Sequence, residues 1–152
     1  MDTGWVRARV QDLERRCREA DVPLTHQRRV VFEALLERGD HPTADQLFVD
    51  LQEALPGLAR ATVYRNLEVL TEMGVISRAC HPGAVVRYDA RLEPHHHLVC
   101  LSCGAMVDIV DERLDHLELP STVEHDFEVR DFRVQLRGTC SRCRERSDEA
   151  AP

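Results

Sequence analysis

Along residues 5–20 apolar side chains return every three or four positions, at Val6, Val10, Leu13, Cys17 and Ala20, which predicts an amphipathic helix. Asp21-Val22-Pro23 breaks it, because proline lacks the amide that a helix interior needs. Thr25 is placed to cap a second helix that buries Val30, Val31, Ala34 and Leu35, and Gly39-Asp40 ends it. Thr43-Ala44-Asp45-Gln46 has the spacing of a capping box, which opens a third helix through Leu47, Phe48 and Leu51. After a turn at Pro56-Gly57, a fourth helix is predicted from about Arg60 to Met73. Val63, Leu67 and Leu70 lie on its inner face, with Gly74 at C′.

Beyond Gly74 the pattern changes. Val75-Ile76 and Ala84-Val85-Val86 flank His81-Pro82-Gly83, a turn signal between two short strands. Helices followed by a small hairpin predict a winged-helix domain over residues 1–88. The remainder, 89–152, reads as a small α/β domain. Its strands are predicted at Leu98–Leu101, Met106–Ile109 and Phe127–Leu136, with a helix near Asp111–Leu119. In the last strand the apolar positions switch parity between Val129 and Phe132, which calls for a bulge or bend. The tail after Cys143 is polar and expected to fray. The fold class is thus α+β, and the second half is small enough to need stapling and dimerisation.

Composition narrows the class. The chain has 152 residues, 43% hydrophobic and 31% charged, as a soluble globular protein does. No apolar run reaches transmembrane length and the N-terminus lacks a signal-peptide core, so a cytoplasmic location is expected. All 20 basic residues are arginines, which reflects compositional bias. The net charge of −7 argues against nucleic acid at first sight. Its distribution softens that: residues 1–87 hold 12 Arg against 13 acids, residues 88–152 hold 8 against 14. The first half is nearly neutral and can carry a local basic face.

Two CxxC pairs, Cys100/Cys103 and Cys140/Cys143, supply the strongest chemistry. In a reducing compartment such pairs hold metal, and four thiolates close a tetrahedral structural zinc site. The rival is a redox-active thioredoxin-type pair; two separated pairs without an alternating βαβ pattern argue against it. Cys17 falls on the apolar stripe of the first helix, and Cys80 lies near the wing turn. In a strand, His95 and His97 point to one face and can chelate one ion, while His96 points to the other. His96, like His26, His81 and His116, is expected to be an ordinary surface histidine. Three consecutive histidines also fit a nonspecific metal-binding tract. In the fourth helix Val63 and Leu67 face inward, leaving Thr62, Tyr64, Arg65 and Asn66 on flanking or outer faces. An exposed Tyr and Arg near a helix N-terminus suit a major groove; the plain alternative is a solvated helix face.

Taken in order, three segments carry a resemblance: His41-Pro42-Thr43-Ala44-Asp45, then Ala61-Thr62-Val63-Tyr64-Arg65-Asn66-Leu67, then His95-His96-His97-Leu98-Val99-Cys100 with Cys103-Gly104. Together they resemble the ferric uptake regulator (Fur) family of metal-dependent repressors over about residues 5–145. The resemblance implies a winged-helix DNA-binding domain joined to an α/β dimerisation domain, and a homodimer on AT-rich inverted repeats of double-stranded DNA. It implies structural zinc on the four cysteines and a regulatory Fe(II) or Mn(II) on His41, Asp89, His95, His97 and Asp108. From the start of the fourth helix, Thr62, Tyr64 and Arg65 are read as DNA contacts, and Arg60 as a phosphate contact. Family members often carry Ser or Thr where Ala59 stands. Zinc-sensing relatives place a cysteine at the position of Asp89. A further metal site of some relatives matches Pro94, His96 and Phe132, of which two cannot ligate.

Asp108 bears on the signal. The peroxide-sensing, PerR-like branch has Asp there, whereas iron-uptake regulators tend to have Glu. The resemblance thus implies a repressor, not an enzyme, in which bound iron turns peroxide on His41 or His95. Iron sensing is the alternative. A metallohydrolase site and a zinc-stapled interaction module are remoter ones; the absence of HExxH argues against the former.

Overall fold

The computed structural model describes residues 3–79 and 85–149. The expected wing turn at His81-Pro82-Gly83, with Cys80 and Ala84, lies outside the described residues. The chain forms two compact units, Met1–Leu92 and Glu93–Pro152.

The first unit has four helices: α1 (Thr3–Glu19), α2 (His26–Glu37), α3 (Ala44–Ala54) and α4 (Arg60–Glu72). Their ends follow the sequence chemistry. The Thr25 hydroxyl accepts from Arg28 N–H. At α3 both halves of the capping box form between Thr43 and Gln46. At α4 the N-cap is Ala59, which offers no side-chain bond. Gly74 follows α4 with φ +66°, a left-handed conformation that a Cβ would strain.

Leu13, Val31, Phe32, Leu35, Leu47, Val63, Leu67 and Leu70 come together from all four helices as the core, closed by Val75, Ile76 and Tyr88. Arg9 crosses this core, donating to the Val75 carbonyl and lying over the Phe32 ring. Asn66, expected on an outer or flanking face, is buried, with its amide donating to Thr62 O at 2.9 Å. The antiparallel pair is β1 (Ser77–Ala79) with β2 (Arg87–Asp89), Arg78 facing Tyr88. Both strands fall downstream of the apolar pairs that predicted them. Val75 and Ile76 are instead core residues, and Val85 and Val86 stand exposed. Helices plus this hairpin give the winged-helix fold.

The second unit is a three-stranded sheet in the order β4-β3-β5, formed by β3 (His96–Cys100), β4 (Met106–Ile109) and β5 (Gln135–Gly138). β3 pairs antiparallel with β4 and parallel with β5. The expected strand over 127–136 is corrected: only its end forms β5. Phe127 and Val129 are exposed in irregular chain, so their alternation marks no ladder. The helix near 111–119 shortens to α5 (Glu112–Asp115), capped by Asp111. The tail expected to fray contains α6 (Ser141–Glu149), whose first turn is tied to the Cys140 carbonyl by Cys143 N–H and Arg144 N–H.

Candidate functional site

The parallel pairing of β3 with β5 sets Cys100 beside Gly138. Both CxxC segments therefore leave the same end of the sheet. After Cys100 the chain turns back, with Gly104 N–H donating to Cys100 O and Gly104 at φ +69°. The four sulfurs lie within 4.8 Å of one another, and Cys103 Sγ is 3.8 Å from Cys140 Sγ. Four ligands at about 2.3 Å around a tetrahedral zinc stand about 3.8 Å apart, so the donor set fits that ion. All described cysteines are free thiols. Backbone N–H groups, that of Cys140 first, hold the Cys100 thiol down at about 5. Arg146 donates to Cys143 Sγ and draws that thiol down, but burial and the three neighbouring thiols carry it up to about 11.

In the first unit, His41 and Asp89 are brought together by backbone pairing. Thr43 bridges Arg87 in an antiparallel sense and Tyr88 N–H donates to Pro42 O. Two residues on in each direction, His41 stands opposite Asp89. Its Nε2 is 3.7 Å from Asp89 Oδ2. His41 has φ +52°, a left-handed conformation that few non-glycine residues adopt. Arg87 steadies it, Nη1 donating to the His41 carbonyl at 2.8 Å. Arg87 belongs to no sequence motif; only the bridge to Thr43 reveals it.

In the second unit, register supplies the other group. His97 faces Asp108 across β3 and β4. His95 Nδ1–H donates to the Glu93 carbonyl at 2.7 Å, and since a carbonyl only accepts, the lone pair is on Nε2. That Nε2 is 3.0 Å from His97 Nε2, and Asp108 Oδ1 lies 3.6 and 3.8 Å from the two nitrogens. Two ligands at right angles on an ion with bonds near 2.1 Å are about 3.0 Å apart. Imidazole nitrogens with a carboxylate suit a divalent first-row metal.

His96 differs from the surface histidine expected. It is buried, accepts from Val134 N–H at Nδ1, donates from Nε2 to Asp115 Oδ1 and stacks on Phe132. Both nitrogens are engaged, so this side chain braces the irregular segment against β3.

On α4, Arg60, Tyr64 and Arg65 are exposed and Thr62 is half-buried. Arg60 does not stand alone, as a phosphate contact would suggest. Its guanidinium grips Asp45 of α3, Nε to Oδ1 at 2.7 Å. Tyr64 O–H donates to the same oxygen at 2.9 Å. In the sequence Asp45 stands out only as part of a motif; an acid in the first turn of a helix gives no further signal.

The profile of the Ferric uptake regulator family matches residues 19–137. The ferric uptake regulation protein of Bacillus subtilis is 35% identical over 148 residues, covering 93% of this chain and 98% of that protein. The peroxide-responsive repressor PerR of Staphylococcus epidermidis is 32% identical over 128 residues, 84% of this chain and 85% of that one. Among solved structures, a zinc-bound manganese uptake regulator matches with a TM-score of 0.68 at 28% identity, over 84% of this chain and 98% of that one.

Proposed function

Because the chain belongs to the ferric uptake regulator family, we propose that it is a homodimeric repressor whose grip on DNA is set by a divalent ion and released by peroxide. Membership makes it a metal-dependent regulator, and regulators of this family bind DNA as dimers. The four cysteines hold a structural zinc. His41, Asp89, His95, His97 and Asp108 take the regulatory Fe(II) or Mn(II). The observation that carries this reading is the pair of imidazole nitrogens 3.0 Å apart beside Asp108. His41 and Asp89 form a second donor pair on chain that ends just upstream. Asp89 and His95 are six residues apart, a tether of at most about 20 Å, so one ion can draw on both pairs. Ligands from both units make binding favour one arrangement of the units, a population shift with two named bodies. Arg60, Thr62, Tyr64 and Arg65 face DNA, an AT-rich inverted repeat matching the dimer's two-fold symmetry. Such work places the protein in the cytoplasm; among the described residues no helix is long and apolar enough to cross a membrane.

Asp108, a methylene shorter than glutamate, supports peroxide as the signal. Iron(II) bound there supplies the redox chemistry. His41 and His95 would be the residues oxidised, each taking one peroxide oxygen on its ring with water as the other product, and a ring so altered would be a poorer ligand. Mass spectrometry of iron-loaded protein after brief peroxide exposure tests this. One added oxygen on a peptide containing His41 or His95, with release of DNA, is expected. Unmodified histidines, with DNA released only by a chelator, would assign iron sensing instead.

A further inference from the structure

Polar side chains cluster at the start of α4, and among the described residues one acid, Asp45, binds two of the proposed DNA contacts at once. Its carboxylate receives Arg60 through Nε and Nη2 in a side-on, two-pronged pair. It also receives the Tyr64 hydroxyl proton, and the Arg60 guanidinium lies 6.0 Å from the Tyr64 ring centroid. We propose that Asp45 is a positioning residue that fixes what Arg60 and Tyr64 can offer to DNA, and so helps set which bases the helix accepts. This inference rests on the DNA-binding reading above.

What Arg60 and Tyr64 can offer depends on the hydrogen-bond capacity that Asp45 leaves them. A guanidinium has five N–H donors, and the side-on pair uses Nε and one Nη2 hydrogen. The Nη1 edge is left, held in plane by the carboxylate. Tyr64 has spent its only O–H proton on Asp45, so its oxygen is left as an acceptor. Phosphate oxygens only accept; a hydroxyl without a proton to give cannot bond one. It can accept from the amino group of adenine or cytosine in the major groove, and its ring can pack on a thymine methyl. The carboxylate thus turns Tyr64 from a backbone contact into a base contact. It also cancels one positive charge where phosphates approach, which lowers nonspecific attraction. Hydrogen bonds from Arg60 and then Tyr64 hold the Asp45 carboxyl below its ordinary range, so the pair persists at neutral pH. Asp45 and Arg60 are well exposed, and their removal leaves the core intact.

The test uses full-length, Mn(II)-loaded protein and a duplex that the wild type selects from a randomised pool, with a scrambled duplex as control. Asp45→Asn, Tyr64→Phe and the double variant are compared by anisotropy across a salt series, with thermal melts to confirm folding. Asp45→Asn is expected to lower the ratio of selected to scrambled binding about tenfold. It is expected to steepen the salt slope by about one, the signature of one freed cation. Tyr64→Phe in that background should add almost nothing, because the pair acts as one unit. A wild-type ratio and slope in Asp45→Asn, or losses that simply add, would overturn the proposal while leaving DNA binding standing. A wild type that selects no duplex would overturn the DNA-binding reading, and this inference with it.

Discussion

Neighbouring residues in this chain do unlike work, and backbone register decides which. His96 and His97 differ by one position in β3. His97 Nε2 faces His95 Nε2 and Asp108, whereas His96 is tied to Val134 and Asp115. Replacing His97 with Ala should leave zinc content and dimer intact but abolish binding of the second ion, read by metal analysis and sedimentation. Replacing His96 with Ala should leave the ion count unchanged and lower the urea stability by about 1–3 kcal/mol, since Val134 N–H loses its acceptor. A dimer lost in the His97 variant would mean that the two metal sites have been confused. Ala59 is a second instance. It holds the extended N-cap conformation, φ −80° and ψ 141°, yet has no oxygen to offer the first free amides of α4. Ala59→Ser should stabilise by about 1 kcal/mol in a urea titration. No change would show that another group already satisfies those amides.

At the scale of elements, the helices are legible in the sequence because their signals are local. Thr25, Thr43 with Gln46 and Gly74 mark ends that the structure places within a residue of expectation. The strands are less so. Val75-Ile76 is an apolar pair that could pair or pack, and the core takes it, so β1 starts at Ser77. Phe127 and Val129 alternate like a strand, but alternation says nothing of a partner, and β3 is already flanked by β4 and β5. α6 has no apolar stripe; its first turn bonds to the Cys140 carbonyl, and Cys140 N–H donates in turn to Cys100 Sγ at 3.4 Å, a long-range tie that periodicity does not show. In the site, motif and spacing point to the metal ligands, while the roles of Asp45 and Arg87 depend on pairing between distant segments and stay hidden. The sheet also shows something the sequence conceals. Leu98 lies opposite Val107 on one side and Leu136 on the other, three exposed aliphatic side chains in a row. Such a row invites a second copy of the chain. Leu98→Glu should convert the dimer to monomer in sedimentation equilibrium while the zinc stays bound. A dimer of wild-type affinity in that variant would move the interface elsewhere.

At the scale of the molecule, the two metals do different jobs. Among the described residues the second unit buries few apolar side chains, Val99 and Met106 with Cys100 and Cys143. Structural zinc adds about 10–16 kcal/mol of binding energy in small domains of this kind, enough to make the ion part of the fold. Cys100→Ser should therefore lose zinc, the near-native circular dichroism of the second unit and the dimer together. Retention of all three would show that the thiolates are not structural. The other ion is regulatory. In the function proposed above, it would draw on donors of both units and so favour the arrangement that meets DNA. The most direct measurement is anisotropy of a labelled, selected duplex with protein stripped of every ion but its tetrathiolate zinc, titrated with Mn(II). Weak, nonspecific binding should become specific as one Mn(II) per chain enters, with no such response in His97→Ala. Tight, specific binding by the zinc-only protein, unchanged by Mn(II), would contradict a metal-set grip on DNA.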